Sequence, residues 1–180
     1  MHRRFSSARS AFTLVELLVV LAIIAMLGGL LAPSLGRSIE KADAIACAKN
    51  MRQIGVAVQL YANDNNHRYP KVETNPSSPV YPDDEEAEGI LEALGDYGVS
   101  VATIKCRSDM KSFKAYDQYG SSYEWRPIVD EELYNAPTVY RRGGAMTVSP
   151  ARVRLLTDFY GVHNGRKNWL FADGRVNAVK

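Results

Sequence analysis

Ala11-Phe12-Thr13-Leu14-Val15-Glu16, followed without a break by the apolar run Leu17–Ala32, decides how the rest of the chain is read. From Phe12 to Ala32 there are 21 residues, roughly 31 Å of α-helix, which matches a hydrocarbon layer of about 30 Å. The stretch is read as a membrane span. Glu16 is the single carboxylate inside it, and a charge at membrane depth costs about 3 kcal/mol or more, so Glu16 stands out as a functional residue.

On the N-terminal side lie Arg3, Arg4 and Arg9 and no acid. That bias keeps the short N-terminal segment cytoplasmic and sends the remainder across the membrane. A secretory signal peptide begins in the same way, but its apolar region is about 7 to 15 residues and ends at a small-x-small site. Here the run is longer, and Glu16 interrupts its start.

On the other side, Gly28, Gly29 and Pro33 mark the outer end of the span. Proline at 33 lacks the N–H that would bond the carbonyl of Gly29, so a kink is expected there. Charges then return at Arg37, Glu40, Lys41 and Asp43. Ala44, Cys47, Met51, Ile54, Val58 and Tyr61 recur at three- and four-residue steps, the spacing of an amphipathic helix with one buried face. The two halves make one helix, stopped by Asn63-Asp64-Asn65-Asn66, with Tyr69-Pro70 opening an extended loop.

The remainder reads as a mixed head. Pro70, Pro76, Pro79 and Pro82 make residues 71–82 a surface loop. Asp83, Asp84, Glu85, Glu86 and Glu88 precede Ile90, Leu91 and Leu94, with Gly95 closing, a short helix with acids in its first turn. Val101–Ile104, Ser121–Val129, Thr138–Arg141 and Arg152–Phe159 are candidate strands. Trp169–Ala172 and Val176–Val179 flank Asp173-Gly174, a hairpin signal in which the pair forms a two-residue turn. The expected fold class is α+β, a long N-terminal helix packed on a small antiparallel sheet.

Composition limits the function classes. Loss of residues 1–11, with three arginines and no acid, would take the formal charge from +2 to −1, so no basic excess argues for nucleic acid. Gly-x-Ser-x-Gly, His-Glu-x-x-His, Cys-x-x-Cys and Gly-rich phosphate or dinucleotide loops are all missing from the sequence. An enzyme is not expected. Cys47 and Cys106 are the only cysteines. They either bridge helix and head, closing a loop of about 60 residues worth roughly 4 kcal/mol, or remain two small core residues.

These features resemble the prepilin N-terminus of type IV pilins and type II secretion pseudopilins: a basic leader, a small residue, then Phe12-Thr13-Leu14-x-Glu16 and an apolar helix. Ala11 stands where the family usually has glycine. The resemblance implies cleavage between Ala11 and Phe12 by a prepilin peptidase, N-methylation of Phe12, and pairing of Glu16 with the Phe12 amine of a neighbouring subunit during assembly. Pilins often have proline at the place of Pro33. The chain then divides into a leader, 1–11, the transmembrane half of the helix, 12–35, its amphipathic half, 36–62, and an extracytoplasmic head, 63–180.

The resemblance extends into the head. Tyr61-Ala62-Asn63-Asp64 with Tyr69-Pro70, the segment Cys106-Arg107-Ser108-Asp109, and Asp158 ahead of His163 with nine residues before Asp173-Gly174 are similar to a group with a C-terminal His-x9-Asp-Gly motif. Arg107 stands where proline is common and Arg175 where histidine often follows. His163 is read as a structural residue that folds back on the following strands. The competing reading, a metal held by Asp158, His163 and Asp173, lacks a fourth ligand at 175. Residues 83–88 are the one candidate calcium set, since major pseudopilins use carboxylates in that way. No C-terminal calcium loop accompanies them, and no cofactor is otherwise expected.

The implied function is a filament subunit of a type II secretion or type IV pilus-like system. Its partners would be copies of itself, other pilins or pseudopilins, the prepilin peptidase, an inner-membrane assembly platform and membrane lipid, with the head periplasmic. Rival readings are a DNA-binding minor pilin using Arg141, Arg142, Arg152, Arg154, Arg166, Lys167 and Arg175, and a membrane-anchored binding domain.

Overall fold

A computed structural model describes residues 13–72, 89–126, 132–141 and 144–179. The acidic run at 83–88, the proline-rich loop from residue 73, and Ala11 and Phe12 lie outside the described residues. The chain divides into two units, Met1–Ile39 and Glu40–Lys180.

The first unit is helical from Leu14, where α1 (Leu14–Asp64) begins. Leucine, alanine, isoleucine and methionine fill this part of α1, and all but the β-branched members lose little rotamer freedom in a helix. From Leu14 to Leu30 the large apolar side chains are exposed. Among the described residues no single helix is long and apolar enough to cross a membrane, and Leu14–Leu30 with Leu35–Asp64 meet the length and composition for a span only as a bent pair. Gly29 lies within the helix, and the side chains of residues 31–34, Pro33 among them, are outside the description.

The second unit carries the rest of α1 and the head. Cys47, Met51, Ile54, Ala57, Val58 and Ala62 are buried on one helical face, which the three- and four-residue spacing anticipates. Asp43 belongs to the same buried stripe, although its charge suggests an outward position. The helix ends where Asn66 and His67 adopt left-handed φ of 52° and 58°, the His67 N–H bonding the Ala62 carbonyl at 2.8 Å. Asparagine tolerates that conformation well.

Short helices follow: α2 (Ile90–Leu94), α3 (Arg107–Lys111) and α4 (Ala115–Tyr119). The end of α2 differs from expectation. Gly95 stays right-handed and starts a 3₁₀ turn, and the left-handed residue that closes it is Gly98, φ +90°.

Four strands, β1 (Tyr123–Trp125), β4 (Arg154–Asp158), β5 (Lys167–Phe171) and β6 (Val176–Val179), form one sheet in the order β1-β4-β5-β6. All neighbours are antiparallel. A separate two-stranded ribbon pairs β2 (Thr138–Arg141) with β3 (Gly144–Thr147). The core unites the α1 stripe with Leu155, Leu156, Leu170, Tyr123 and Trp125. The fold class is α+β, as expected.

Two strand expectations need correction. Val101–Ile104 is a turn: the N–H groups of Thr103 and Ile104 both bond the Ser100 carbonyl, and the Ser100 and Thr103 hydroxyls meet at 3.1 Å. Local side-chain and backbone bonds win there over β-propensity. β3 is absent from the expected set because Gly144, Ala145, Met146 and Thr147 are all exposed and so show no in-out alternation. Within Ser121–Val129 only Tyr123–Trp125 is strand among the described residues.

Candidate functional site

At the N-terminal motif, Thr13 and Glu16 bond reciprocally. The Glu16 carboxylate accepts the Thr13 backbone N–H at 2.9 Å and its hydroxyl at 2.8 Å. The Glu16 N–H in turn donates to the Thr13 hydroxyl oxygen at 3.2 Å. This is a capping box: two N–H groups that the first helical turn leaves without partners are satisfied within four residues. The Thr-x-x-Glu spacing is itself a capping signal in the sequence.

In the head, the buried stripe of α1 delivers Cys47 to Cys106, the residue preceding α3. The two form a disulfide with Cα atoms 5.4 Å apart, spanning 59 positions of sequence. His163 lies against this bridge, its Nε2 3.6 Å from Cys106 Sγ and 3.7 Å from Asp158 Oδ2. Both His163 and Asp158 are buried.

A second hairpin positions His163. Asn164 and Gly165 both take left-handed φ, 56° and 74°, and His163 pairs with Arg166 across them. Asn-Gly in that conformation is the favoured two-residue turn. The loop is closed tightly, since a Cβ on Gly161 would stand 2.9 Å from the Gly165 carbonyl carbon.

Asp158 ends β4. Its Oδ2 accepts the Asn168 N–H at 2.6 Å, while Oδ1 has no partner among the described residues. Burial pushes the Asp158 carboxyl up to about 7, against the opposing pull of the Asn168 N–H and the Lys167 charge. Burial likewise holds His163 below its ordinary value, although Asp43 and Glu40 pull the other way. Desolvation therefore disfavours both charges, and the close contact is not a strong ion pair.

Asp173 is elsewhere. It lies past the far end of β5 from Asn168, roughly 16 Å along five residues of extended chain, so the set Asp158, His163 and Asp173 is not assembled. Its turn also differs from the expected two-residue form. Phe171 N–H bonds the Arg175 carbonyl, which leaves a three-residue loop, Ala172 to Gly174, with Gly174 alone left-handed at φ +81°. Asp173 keeps negative φ and accepts the Arg175 N–H at 3.1 Å. The turn lies over α1: a Cβ on Gly55 would meet Leu170 Cδ1 at 3.1 Å and the Gly174 Cα at 3.8 Å.

Sequence reasoning left two buried acids without roles. Asp109 accepts the N–H groups of Ala115 and Tyr116 and the Ser122 hydroxyl, at 2.9, 3.1 and 2.7 Å, and so ties α3 to α4 and β1. Asp43 receives Lys111 Nζ at 2.7 Å, a second strap between α1 and α3 beside the disulfide. Asp109 had a signal in the Cys106-to-Asp109 segment. For Asp43 the only signal was its position one turn before Cys47.

Residues 6–32 match the family described as the prokaryotic N-terminal methylation motif. The type II secretion system core protein G of Pectobacterium carotovorum subsp. carotovorum is 33% identical over 90 residues, 46% of this chain and 57% of that protein. The protein of the same name from Aeromonas hydrophila is 38% identical over 65 residues, 36% of this chain and 45% of that protein. The chain thus spans about half the length of the curated relatives it matches. No solved structure matches it. At its N-terminus, then, the chain carries the methylation motif of prepilin-type proteins.

Proposed function

We propose that this chain is a structural, non-catalytic subunit of a type II secretion pseudopilus or a closely similar filament. The carrying observation is the methylation motif over residues 6–32, continued by a helix whose apolar side chains from Leu14 to Leu30 are exposed. A surface of that kind is covered by lipid or by other helices. Similarity to two core G proteins supports the secretion system over a pilus.

In this reading a prepilin peptidase cuts between Ala11 and Phe12, and Phe12 is N-methylated. Residues 12–35 anchor the subunit in the inner membrane with the head, 63–180, outside. Glu16 pairs with the Phe12 amine of a neighbour, which makes a costly intramembrane charge into a device for registration. Pro33 and Gly29 allow the helix to bend where it leaves the membrane. Other pseudopilins and an assembly platform are the partners.

A nucleic-acid-binding head has less support. Lys167 donates to the Phe159 carbonyl at 2.6 Å, Arg154 stacks on Trp169, and Arg175 stacks on Phe171 while donating to the Ala151 carbonyl. Those cations are engaged within the head rather than presented as a patch.

Assembly tests the proposal. The chain is co-expressed with a type II secretion apparatus and the sheared filament fraction is collected. Recovery in that fraction is expected, and confinement to the membrane fraction as a monomer would contradict the proposal.

A further inference from the structure

Glu40 and Lys41 of α1 and His163, Arg166 and Asn168 of the head line an open cavity of about 620 Å³, a volume usual for a small-molecule site. The lining carries both signs of charge. Lys41 and Arg166 are exposed cations, and Glu40 is half-buried. Among the described residues none of these three side chains forms an ion pair or a hydrogen bond.

A second observation points to a ligand. Asn168 and His163 are only 5% and 6% exposed, and Asn168 Nδ2 and His163 Nδ1 have no hydrogen-bond partner among the described residues. Polar atoms left unpaired in this way are costly and call for a reason. The Asn168 backbone N–H is taken by Asp158, so its side-chain amide is the donor that remains. Rotation about the Asn168 side-chain bonds turns that amide toward the cavity it lines.

Position along the chain narrows the ligand. Glu40 follows residue 35, the end of the proposed membrane anchor, by five positions (40 − 35), which is about 8 Å of helix. The polar layer on each side of the hydrocarbon is roughly 5 to 8 Å deep. A free phosphate would meet Glu40 as a like charge, whereas a phosphate joined to an ammonium meets all three charges with opposite ones.

We propose that this cavity binds the headgroup of a phosphatidylethanolamine lipid from the extracytoplasmic leaflet. Lys41 and Arg166 hold the phosphate, the Asn168 amide donates to one of its oxygens, and Glu40 accepts hydrogen bonds from the primary ammonium. A choline headgroup has no N–H to donate, and a glycerol headgroup leaves the Glu40 charge unmatched. The proposal rests on the reading of residues 12–35 as a membrane anchor.

The test uses the full-length chain, freed of lipid in detergent. It is offered equal amounts of phosphatidylethanolamine, phosphatidylglycerol and phosphatidylcholine with the same acyl chains, and bound lipid is counted by native mass spectrometry. One phosphatidylethanolamine per chain is expected, in preference to the other two. Lys41→Ala with Arg166→Ala should lower its retention about tenfold or more, and Glu40→Gln should remove the preference over phosphatidylglycerol. Lys49→Ala with Arg52→Ala, which removes exposed cations elsewhere on α1, should leave retention unchanged. Equal retention of the three lipids would overturn the proposal, as would equal losses from the two double variants. Displacement of the lipid by inorganic phosphate would make the cavity a simple anion site and overturn it as well. The readout is separate from filament recovery: selective retention by a chain that never enters filaments still supports the site, and normal filaments from a chain that retains no lipid overturn the site alone.

Discussion

Glu16 Oε2 accepts both the backbone N–H and the hydroxyl of Thr13, at 2.9 and 2.8 Å. The acid of the motif thus has a partner in its own chain before any neighbour arrives. Intrachain capping reduces the cost of carrying the charge in an apolar segment, and pairing with a neighbour's amine would strengthen what the cap begins.

Glu16 and Thr13 should then separate in their effects. Thr13→Ala removes one half of the cap, worth about 1 kcal/mol at the helix start, and should leave filaments forming at reduced yield. Glu16→Ala removes the cap and the intersubunit charge together, so membrane insertion should persist while assembly is lost. Sheared filament yield separates the two, and a normal yield from Glu16→Ala would refute the pairing.

The Cys47–Cys106 bridge closes a loop across 59 positions and so constrains the unfolded chain by roughly 4 kcal/mol in the entropy model. Chain isolated in air and denatured without reductant should contain no free thiol. Reduction should lower its melting temperature. A count of two thiols would show that the bridge does not form.

Gly174 and Gly55 hold the last hairpin on α1. Gly174→Val places a β-branched residue at φ +81° and should cost about 2 kcal/mol. At Gly55 two effects compete. Alanine gains about 1 kcal/mol of helix propensity, but its Cβ would meet Leu170 Cδ1 at 3.1 Å, so Gly55→Ala should be close to neutral. Gly55→Leu should lose roughly 1–3 kcal/mol by overpacking. Thermal melts rank the three, and a stabilised Gly55→Leu would show that the hairpin does not lie there.

Asp158 gives the head a pH dependence of defined sign in the bridged chain. Its carboxyl is raised from 3.8 to about 7, so the stability it contributes is complete below its unfolded value and is lost as pH rises through about 7. The slope approaches roughly 1.4 kcal/mol per pH unit between those limits. His163 acts oppositely: held below 6.5, it contributes above that value and loses its contribution on acidification through its lower folded value. Asp158→Asn keeps the shape and removes the first effect. Melts at about pH 5 and about pH 7.5 should show the parent losing stability relative to Asp158→Asn as pH rises; parallel curves would count against the raised carboxyl.

The sequence made α1 legible because a buried helical face repeats every three to four residues, from Cys47 to Val58, and no local bond competes with it. β2 and β6 were legible because Pro137 stands directly before the first and the Asp173-Gly174 turn just ahead of the second. The connection Val99–Lys114 was not, since the Ser100 and Thr103 hydroxyls and the Asp109 carboxylate fold it through bonds that hydrophobic pattern does not record. At the buried cluster each residue could be named, but not the grouping. His163-x9-Asp173-Gly174 suggests partners, yet a β-strand stands between them, and the residue that His163 meets is Asp158, brought beside it by the Asn164-Gly165 turn.

The most direct test is the intact mass of the chain extracted from membranes of cells with and without an active prepilin peptidase. With the peptidase, the chain should begin at Phe12 and carry one added methyl group on its amine. Without it, residues 1–11 should remain. A chain that keeps Met1 through Ala11 in the presence of the active peptidase would contradict the account.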